Sequence, residues 1–148
     1  MIFLRLPNVV NVILKNDQSI IPRISQLSQK TNQFNLTAKR YTEGDIENFI
    51  NDPSSTVYGF SVSDKFGDSG VTGLSIVTVN RTTETAEIDS FLMSCRVIGR
   101  NIEYAFLDYI IQKIKEGKIR FLNAKYNKIQ KNEQVKEFYD KCSFILTK

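Results

Sequence analysis

Three consecutive strand-like segments, joined by short turns, restrict the fold of this chain more than any other feature of its sequence. The segments are residues 56–64, 71–79 and 85–93. In the first of them, Tyr58, Phe60 and Val62 alternate with small or polar residues, which is typical of a strand with one buried face. Because short turns join antiparallel neighbours, we predict a three-stranded antiparallel meander in the middle of the chain.

Helical patterns surround this meander, and the predicted order of elements is α-β-α-βββ-α-β-α-β. We predict helices at about residues 19–32, at 42–52, at about 100–116 and from 132 onward, with further strands at 36–41, 120–126 and 143–147. Ser19 is the predicted cap of the first helix, and Thr42 opens a capping-box-like start to the second. Residues 1–18 show no clear period.

The composition limits the chemistry that the chain can perform. Its 148 residues are 41% hydrophobic and 24% charged, which suits a single folded domain. The chain has no histidine, which excludes Ser-His-Asp and Cys-His nucleophile pairs and histidine metal ligation. Carboxylates, Tyr, Lys, Arg, a Cys thiol and backbone dipoles remain, and no metal is expected. Cys95 and Cys142 suggest no disulfide framework, so we expect a reducing cytoplasm.

Targeting and charge signals are weak in this sequence. Pro7, Asn8 and Asn11 interrupt the apolar N-terminus, so we predict no signal peptide, and no run approaches the roughly 20 apolar residues of a membrane span. The formal net charge is +4, and the basic residues gather at 113–131. These are either a solvated helix end and loop or a surface that attracts phosphates, nucleic acid or an acidic protein. No recognition motif supports nucleic-acid binding.

The turn at residues 96–101 lies between the third strand of the meander and the longest predicted helix. Its residues are Arg96, Val97, Ile98, Gly99, Arg100 and Asn101. The first amides of a helix lack intrahelical acceptors, and the helix dipole adds partial positive charge there. With a glycine and two arginines, the turn can hold an anion such as a phosphate or pyrophosphate. The alternative is an ordinary strand-to-helix turn without a ligand.

This Arg-x-x-Gly-x-Asn turn, placed after a meander and before a helix, resembles the motif that holds the pyrophosphate of coenzyme A in the GNAT acyltransferase fold. The segment from Asn132 to Phe144 is similar to the family's closing Asn-x-x-Ala-x-x-Phe-Tyr pattern, although Ser143 replaces a glycine and Asn101 a small residue. The resemblance implies an α/β (α+β) fold, a mixed sheet with an antiparallel meander flanked by helices. It also implies cofactor contacts from Phe91, Leu92, Met93, Arg96, Val97, Ile98, Gly99, Arg100, Asn101, Asn132 and Tyr139.

A closer resemblance covers residues 20 to 144 and rests on three blocks at 23–37, 64–68 and 88–96, which look like FkbH-like proteins. We therefore assign 20–148 to a GNAT-like domain and leave 1–19 as an N-terminal segment of unclear role. Members of that family join a HAD-type phosphatase-like domain to a GNAT-like domain and load a glyceryl unit onto an acyl carrier protein for polyketide synthesis. No Asp-x-Asp-x-Thr strand occurs here, so a separate HAD-type protein is an implied partner.

Four side chains are candidates for catalysis. Cys95 is either a thiol activated by the neighbouring arginines that carries an acyl thioester, or a small packing residue. Asp89 and Glu87, which alternation places on the same face of the third strand as Phe91 and Met93, are general bases or cross-strand ion-pair partners. In the GNAT resemblance, Tyr139 protonates the departing thiolate; the alternative is a Tyr packed at the edge of the core.

The sequence therefore predicts an acyltransferase-like domain that binds the phosphopantetheine thiol or thioester of coenzyme A or of an acyl carrier protein. The alternative is a non-catalytic module that docks a carrier protein or another partner. Neither interpretation involves a membrane or nucleic acid.

Overall fold

The computed structural model of the chain describes residues 2–6, 9–31, 34–64, 67–94, 102–127, 132 and 138–141. Its strands are β1 (Ile2–Leu6), β2 (Val9–Lys15), β3 (Ser55–Asp64), β4 (Gly67–Asn80), β5 (Thr85–Met93) and β6 (Phe121–Ala124). Its helices are α1 (Ile21–Lys30), α2 (Glu43–Asn51), α3 (Ile102–Glu116) and α4 (Phe138–Lys141), with a 3-10 turn at Gln18–Ile20. None of these helices is long and apolar enough to cross a membrane.

The described strands form one mixed sheet with the order β1-β2-β3-β4-β5-β6. The first five strands pair antiparallel with their neighbours, while β6 runs parallel to β5 because α3 crosses over between them. The predicted meander is confirmed as β3, β4 and β5, and β5 has the predicted bounds. The α+β class is confirmed as well. Strands β1 and β2 come from the stretch that showed no clear period.

Two hydrophobic cores cover the two faces of the sheet. The α3-side core contains Phe60, Phe91 and Phe106. The ring centroid of Phe106 lies 4.7 Å from that of Phe60 and 5.2 Å from that of Phe91. The α1/α2-side core contains Ile24 from α1 and Ile46 from α2, packed on inward residues of β3, β4 and β5. The side chains of one strand therefore alternate between the two cores, which sets which β5 residues can share a site.

Strand β5 carries a β-bulge at Asp89. In its register with β4, Ser90 pairs with Ile76 and Ile88 pairs with Val77, so Asp89 has no partner residue of its own. An extra residue shifts the alternation of every side chain that follows it. Consequently Ile88 and Phe91 both lie in the α3-side core although they are three residues apart.

Some local predictions are wrong. Residues 36–41 are not a strand; an isolated bridge between Asn35 and Leu92 is the pairing that the structure describes there, and the backbone turns away at Ala38, whose φ is +57°. Ser19 does not cap α1, because its amide bonds to Asp17 in the preceding turn. The capping box of Thr42 and Asp45 on α2 is confirmed. The last helix is described at 138–141, and the predicted strand at 143–147 lies outside the described residues.

Candidate functional site

The sheet divides at β5, and this division shapes the candidate site. Strand β6 pairs with the first half of β5, from Thr85 to Ile88, and ends at Ala124. The second half of β5 pairs instead with residues 34–37, here called the 34–37 segment. The amide of Leu36 donates to the carbonyl of Phe91 at 3.1 Å, and the amide of Met93 donates to the carbonyl of Phe34 at 2.9 Å. The segment therefore fills the space where β5 and β6 diverge.

Two asparagines hold the other edge of the 34–37 segment. The amide of Asn127 donates to the carbonyl of Leu36 at 2.7 Å, and its side chain donates to the carbonyl of Thr37 at 3.1 Å. The side chain of Asn132 donates to the carbonyls of Asn35 and Asn127, each at 2.9 Å. The segment thus lies between β5 and the residues that follow β6, with hydrogen bonds to both.

Packing adds to these hydrogen bonds. The ring of Phe34 lies 5.0 Å from that of Phe138 and 6.0 Å from that of Phe91, between centroids. All four residues of the segment are buried, and Asn35 and Leu36 have no exposed surface. The segment is thus part of the α3-side core.

The structure brings together several residues that the sequence assigned to a cofactor, but their contacts are internal. Phe91 and Met93 meet the 34–37 segment through their backbone, and Asn132 meets it through its side chain. Leu92 is also buried, and its side chain lies in the α1/α2-side core. The carbonyl of Phe91, the amide of Met93 and the side chain of Asn132 all bond to the segment. A cofactor along this edge would therefore require the segment to move.

Asp89 is the candidate catalytic residue that the structure places in both a hydrogen bond and an ion pair. Its Oδ2 accepts a hydrogen bond from the hydroxyl of Tyr41 at 2.5 Å, and its Oδ1 lies 2.8 Å from the ammonium of Lys39. Burial is the main cause of a pKa of Tyr41 well above its usual range, and the Asp89 carboxylate raises it further. Tyr41 therefore stays protonated and donates to Asp89, while Lys39 balances the carboxylate charge.

A cavity of about 590 Å³ opens beside this cluster, on the α1/α2 side of the sheet. Its lining combines two cations, three carboxylates, an amide and two aromatic rings: Lys39, Arg40, Tyr41, Asp45, Asn48, Phe49, Asp52 and Asp89. Several of these charges already serve the fold. Arg40 donates to the carbonyls of Ser28 and Thr31 at 2.7 and 2.6 Å, which holds the end of α1. The cavity is large enough for a small polar ligand next to Asp89.

The predicted shared face of Asp89, Glu87, Phe91 and Met93 is wrong. Because of the bulge, Phe91 and Met93 point into the α3-side core, whereas Asp89 meets Tyr41 of the α1/α2-side core. Glu87 is half-buried and pairs with Lys125 at 3.3 Å, as its ion-pair interpretation expects. Tyr139 is buried in the α3-side core, with its ring 5.6 Å from that of Phe138. Asp89 and Tyr139 thus lie on opposite faces of the sheet.

The predicted anion-binding turn and the predicted thiol, Cys95 and residues 96–101, lie outside the described residues. The helix that follows begins at Ile102, and its first turn contains a buried carboxylate. Glu103 is 6% exposed, its Oε2 has no hydrogen-bond partner among the described residues, and burial raises its pKa.

Sequence reasoning missed Tyr41 and Lys39 as site residues. Tyr41 precedes the N-cap of α2, where an apolar side chain commonly packs on the fourth helical residue, and it does share a core with Ile46. That local role gave no signal of a bond to Asp89, which lies 48 residues away in sequence. Within the described part of the chain, no group of three acidic or cysteine side chains could hold a metal ion.

The sequence matches no protein-family model, and no curated protein is similar to it. Its structure, however, is similar to the solved structures of several acetyltransferases. The ribosomal-protein-S18-alanine N-acetyltransferase of Escherichia coli superposes with a TM-score of 0.70 at 12% identity, over 93% of this chain and 79% of that one. The ribosomal-protein-alanine N-acetyltransferase of Brucella melitensis biovar Abortus 2308 gives 0.65 at 14%, over 93% of both chains.

A Mycobacterium tuberculosis protein in complex with CoA gives a TM-score of 0.68 at 13% identity, over 93% of this chain and 73% of that one. At such identities the likeness concerns the fold. The chain has the GNAT fold, a mixed sheet in which an antiparallel meander is followed by a crossover helix and a parallel strand. The fold expected from the resemblance of the 96–101 turn is therefore confirmed.

Proposed function

We propose that this protein is an acyltransferase-like domain that binds the phosphopantetheine thioester of coenzyme A or of an acyl carrier protein and takes part in acyl transfer. The observation that carries the proposal is the divergence of β5 from β6 after Ile88 and Ala124. An extended arm with amide groups can add to the edge of a strand, and the second half of β5 is an edge that β6 leaves and that the 34–37 segment occupies in the structure.

The predicted turn at 96–101 would supply positive charge to bind the phosphates of such a ligand. It follows directly from the end of β5 and precedes α3, so backbone amides and two arginines would meet the phosphates of the donor. The described residues that would meet the arm are Phe91 and Met93, through their backbone groups. These groups bond to the 34–37 segment in the structure, so the arm can bind there only when the segment has left the edge.

Asp89 is the proposed general base. It borders the cavity of about 590 Å³, which would take the acceptor. As the acceptor nucleophile attacks the thioester carbonyl, Asp89 would take its proton; the carbon–sulfur bond then breaks, and the leaving thiolate takes a proton from a second group. Tyr139 is the candidate for that second group; because it lies on the opposite face of the sheet from Asp89, it would have to reach the thiolate from the other side of the β5 edge. Cys95 offers a two-step route, in which its thiolate first takes the acyl group from the donor thioester and then passes it to the acceptor.

For the finer identity of the donor, the proposal relies on the three sequence blocks that resemble FkbH-like proteins. They support a glyceryl-type acyl group, an acyl carrier protein and a separate HAD-type protein as partners. Lys125, Lys128 and Lys131 would attract an acidic carrier protein, although Lys125 already pairs with Glu87 at 3.3 Å.

The second candidate function is a non-catalytic docking module. The filled edge of β5 favours it, because a domain whose donor edge is occupied by its own chain can still present a surface to a carrier protein. In that case Cys95 and Asp89 would have no chemical role.

Mass spectrometry and binding assays separate the two candidates. The protein is incubated with acetyl-CoA and, separately, with an acetylated acyl carrier protein; the measurements are thiol release, acyl adducts and complex formation. Thiol release or an adduct supports acyl transfer, and loss of the adduct in Cys95→Ala identifies the two-step route. Carrier-protein binding without thiol release supports the docking module. Neither binding nor thiol release with either donor would overturn the proposed function.

A further inference from the structure

The 34–37 segment occupies the edge that the donor arm would use, and we propose that it is an internal gate. In this inference, which rests on the proposed function, the segment must leave the edge of β5 before a thioester arm can bind. Asn132 and Asn127 hold the gate closed. The role of Asn132 would then be opposite to the cofactor contact that the sequence resemblance implies.

The first observation is the way in which the segment imitates a ligand. It pairs antiparallel with Leu92, its backbone uses the carbonyl of Phe91 and the amide of Met93, and it enters the α3-side core through Phe34. Any extended chain that binds this edge needs the same two backbone groups. Occupation by the segment and by such a ligand is therefore mutually exclusive.

The second observation is that two local features of the closed position are energetically unfavourable. Within the part of the chain that the structure describes, the buried hydroxyl of Thr37 has no hydrogen-bond partner, and the next residue, Ala38, has a φ of +57°. A buried unpaired hydroxyl and a left-handed backbone at a residue with a Cβ both oppose the closed position. The β5–segment pairing is also a single bridge, whereas β4 pairs with β5 along its length.

The third observation identifies what compensates for these costs. The side chain of Asn132, which has no exposed surface, donates to the carbonyl of Asn35 at 2.9 Å, and that of Asn127 donates to the carbonyl of Thr37 at 3.1 Å. The hydroxyl of Tyr126 holds Asn132 in turn, at 3.2 Å from its Oδ1. These side-chain hydrogen bonds hold the segment but are not part of the hydrogen bonds between strands. Removing them should therefore weaken the closed position and leave the strand pairing of the sheet intact.

The segment also connects to the candidate base. Lys39, which lies two residues after the segment, pairs with Asp89 at 2.8 Å, and Tyr41 donates to the same carboxylate. A movement of the segment would therefore displace Lys39 and Tyr41 relative to the Asp89 carboxylate. Opening of the gate and rearrangement of the groups around Asp89 are expected to occur together.

Hydrogen exchange with coenzyme A as the probe tests the gate. In the wild-type protein, saturating CoA should speed exchange of the Leu36 amide by about tenfold or more, because that amide loses the Phe91 carbonyl. The amides of β3, which CoA does not displace, provide the internal reference. CoA that binds while the protection of Leu36 stays unchanged would overturn the gate and leave the proposed function standing.

Variants provide an independent test by calorimetry. Asn132→Ala should tighten CoA binding by about tenfold, and Asn127→Ala by a smaller factor, because each removes bonds of the closed state. Asn123→Ala, at an exposed asparagine of β6, is the matched control and should leave the affinity unchanged. Weaker binding in the Asn132 and Asn127 variants would contradict the gate and favour direct ligand contacts. If CoA binds neither the wild-type protein nor any variant, the proposed function fails, and the gate with it.

Discussion

The hydroxyl of Tyr41 lies 2.5 Å from Oδ2 of Asp89, which joins the residue before α2 to the bulge of β5. Ile88 lies in the α3-side core, so ordinary alternation directs Asp89 to the α1/α2 side of the sheet, where it meets Tyr41. The bulge shifts the residues that follow, so that Phe91 and Met93 lie in the α3-side core. Bulges are common next to functional sites, and Asp89 lines the cavity on the α1/α2 side.

Asp89→Asn should abolish most of the acyl transfer and leave the fold intact. The amide is almost isosteric but cannot take a proton, so kcat should fall by about 10²–10⁴, which is the usual contribution of a general base. Thiol release from acetyl-CoA in the presence of an acceptor is the measurement. Asp108→Asn, at an exposed position of α3, controls for the change in net charge. An Asp89→Asn protein with wild-type kcat would contradict the proposed role of this carboxylate.

Tyr41→Phe should affect stability rather than the chemistry itself. The change removes a hydrogen bond from a buried hydroxyl to a charged carboxylate, and such bonds contribute about 1.5–3 kcal/mol. Urea denaturation should show a lower free energy of unfolding by about that amount. A loss of less than about 0.5 kcal/mol would mean that Lys39, at 2.8 Å from Asp89, is sufficient to stabilise the carboxylate alone.

Glu103→Gln should stabilise the protein at neutral pH and have little effect at pH 4. Burial raises the pKa of Glu103 above 4.5, so the native state binds its proton more tightly than the unfolded chain. The stability that this group contributes is therefore fully present below its unfolded pKa and is lost as the pH rises through its native pKa. Above that pH, Gln should be more stable than Glu by about 1 kcal/mol.

Urea denaturation of both proteins at pH 4 and pH 7 is the measurement for Glu103. The difference between the two proteins isolates this one group, since all other carboxyl groups are shared. A glutamine variant that is less stable than the wild type at pH 7 would show that the carboxylate is compensated by contacts beyond those of the described residues.

Gly73→Ala should destabilise the end of β5. A Cβ at Gly73 would lie 2.6 Å from Sδ of Met93 and 3.1 Å from Cβ of Phe60, and neither neighbour has exposed surface. Overpacking of this kind commonly costs about 1–3 kcal/mol. Gly44→Ala is the opposite control: its nearest atom, Oγ1 of Thr42, is 3.8 Å away, and alanine in a helix should stabilise by ~0.5 kcal/mol. Thermal unfolding of the two variants should therefore shift in opposite directions.

The sequence was sufficient for those parts of the fold that local patterns determine. Alternation at Tyr58, Phe60 and Val62 predicted the meander, and the capping box at Thr42 predicted the start of α2. The bounds of β5 were also correct. These features depend on residues within a few positions of one another, so composition and period are enough to find them.

The site depends instead on register, which the local pattern does not contain. Nothing near Asp89 signals that an extra residue opposes β4 there, so simple alternation placed Phe91 and Met93 on the face of Asp89, whereas they lie in the α3-side core. The pairing of Asn35 with Leu92 joins residues far apart in the chain, whereas the local pattern predicts a strand at 36–41 that the structure does not contain. The role of the 34–37 segment at the edge of β5 is set by the tertiary structure alone.

The most direct test of the proposed function is a calorimetric titration of coenzyme A into the wild-type protein, Asn132→Ala and Gly99→Glu. We expect saturable binding of one CoA per chain to the wild type. Affinity should rise in Asn132→Ala, and it should fall by about tenfold or more in Gly99→Glu, which sets a negative charge beside the phosphates. Absence of binding in both the wild type and Asn132→Ala, or binding that Gly99→Glu leaves unchanged, would contradict a phosphopantetheine site at the end of β5.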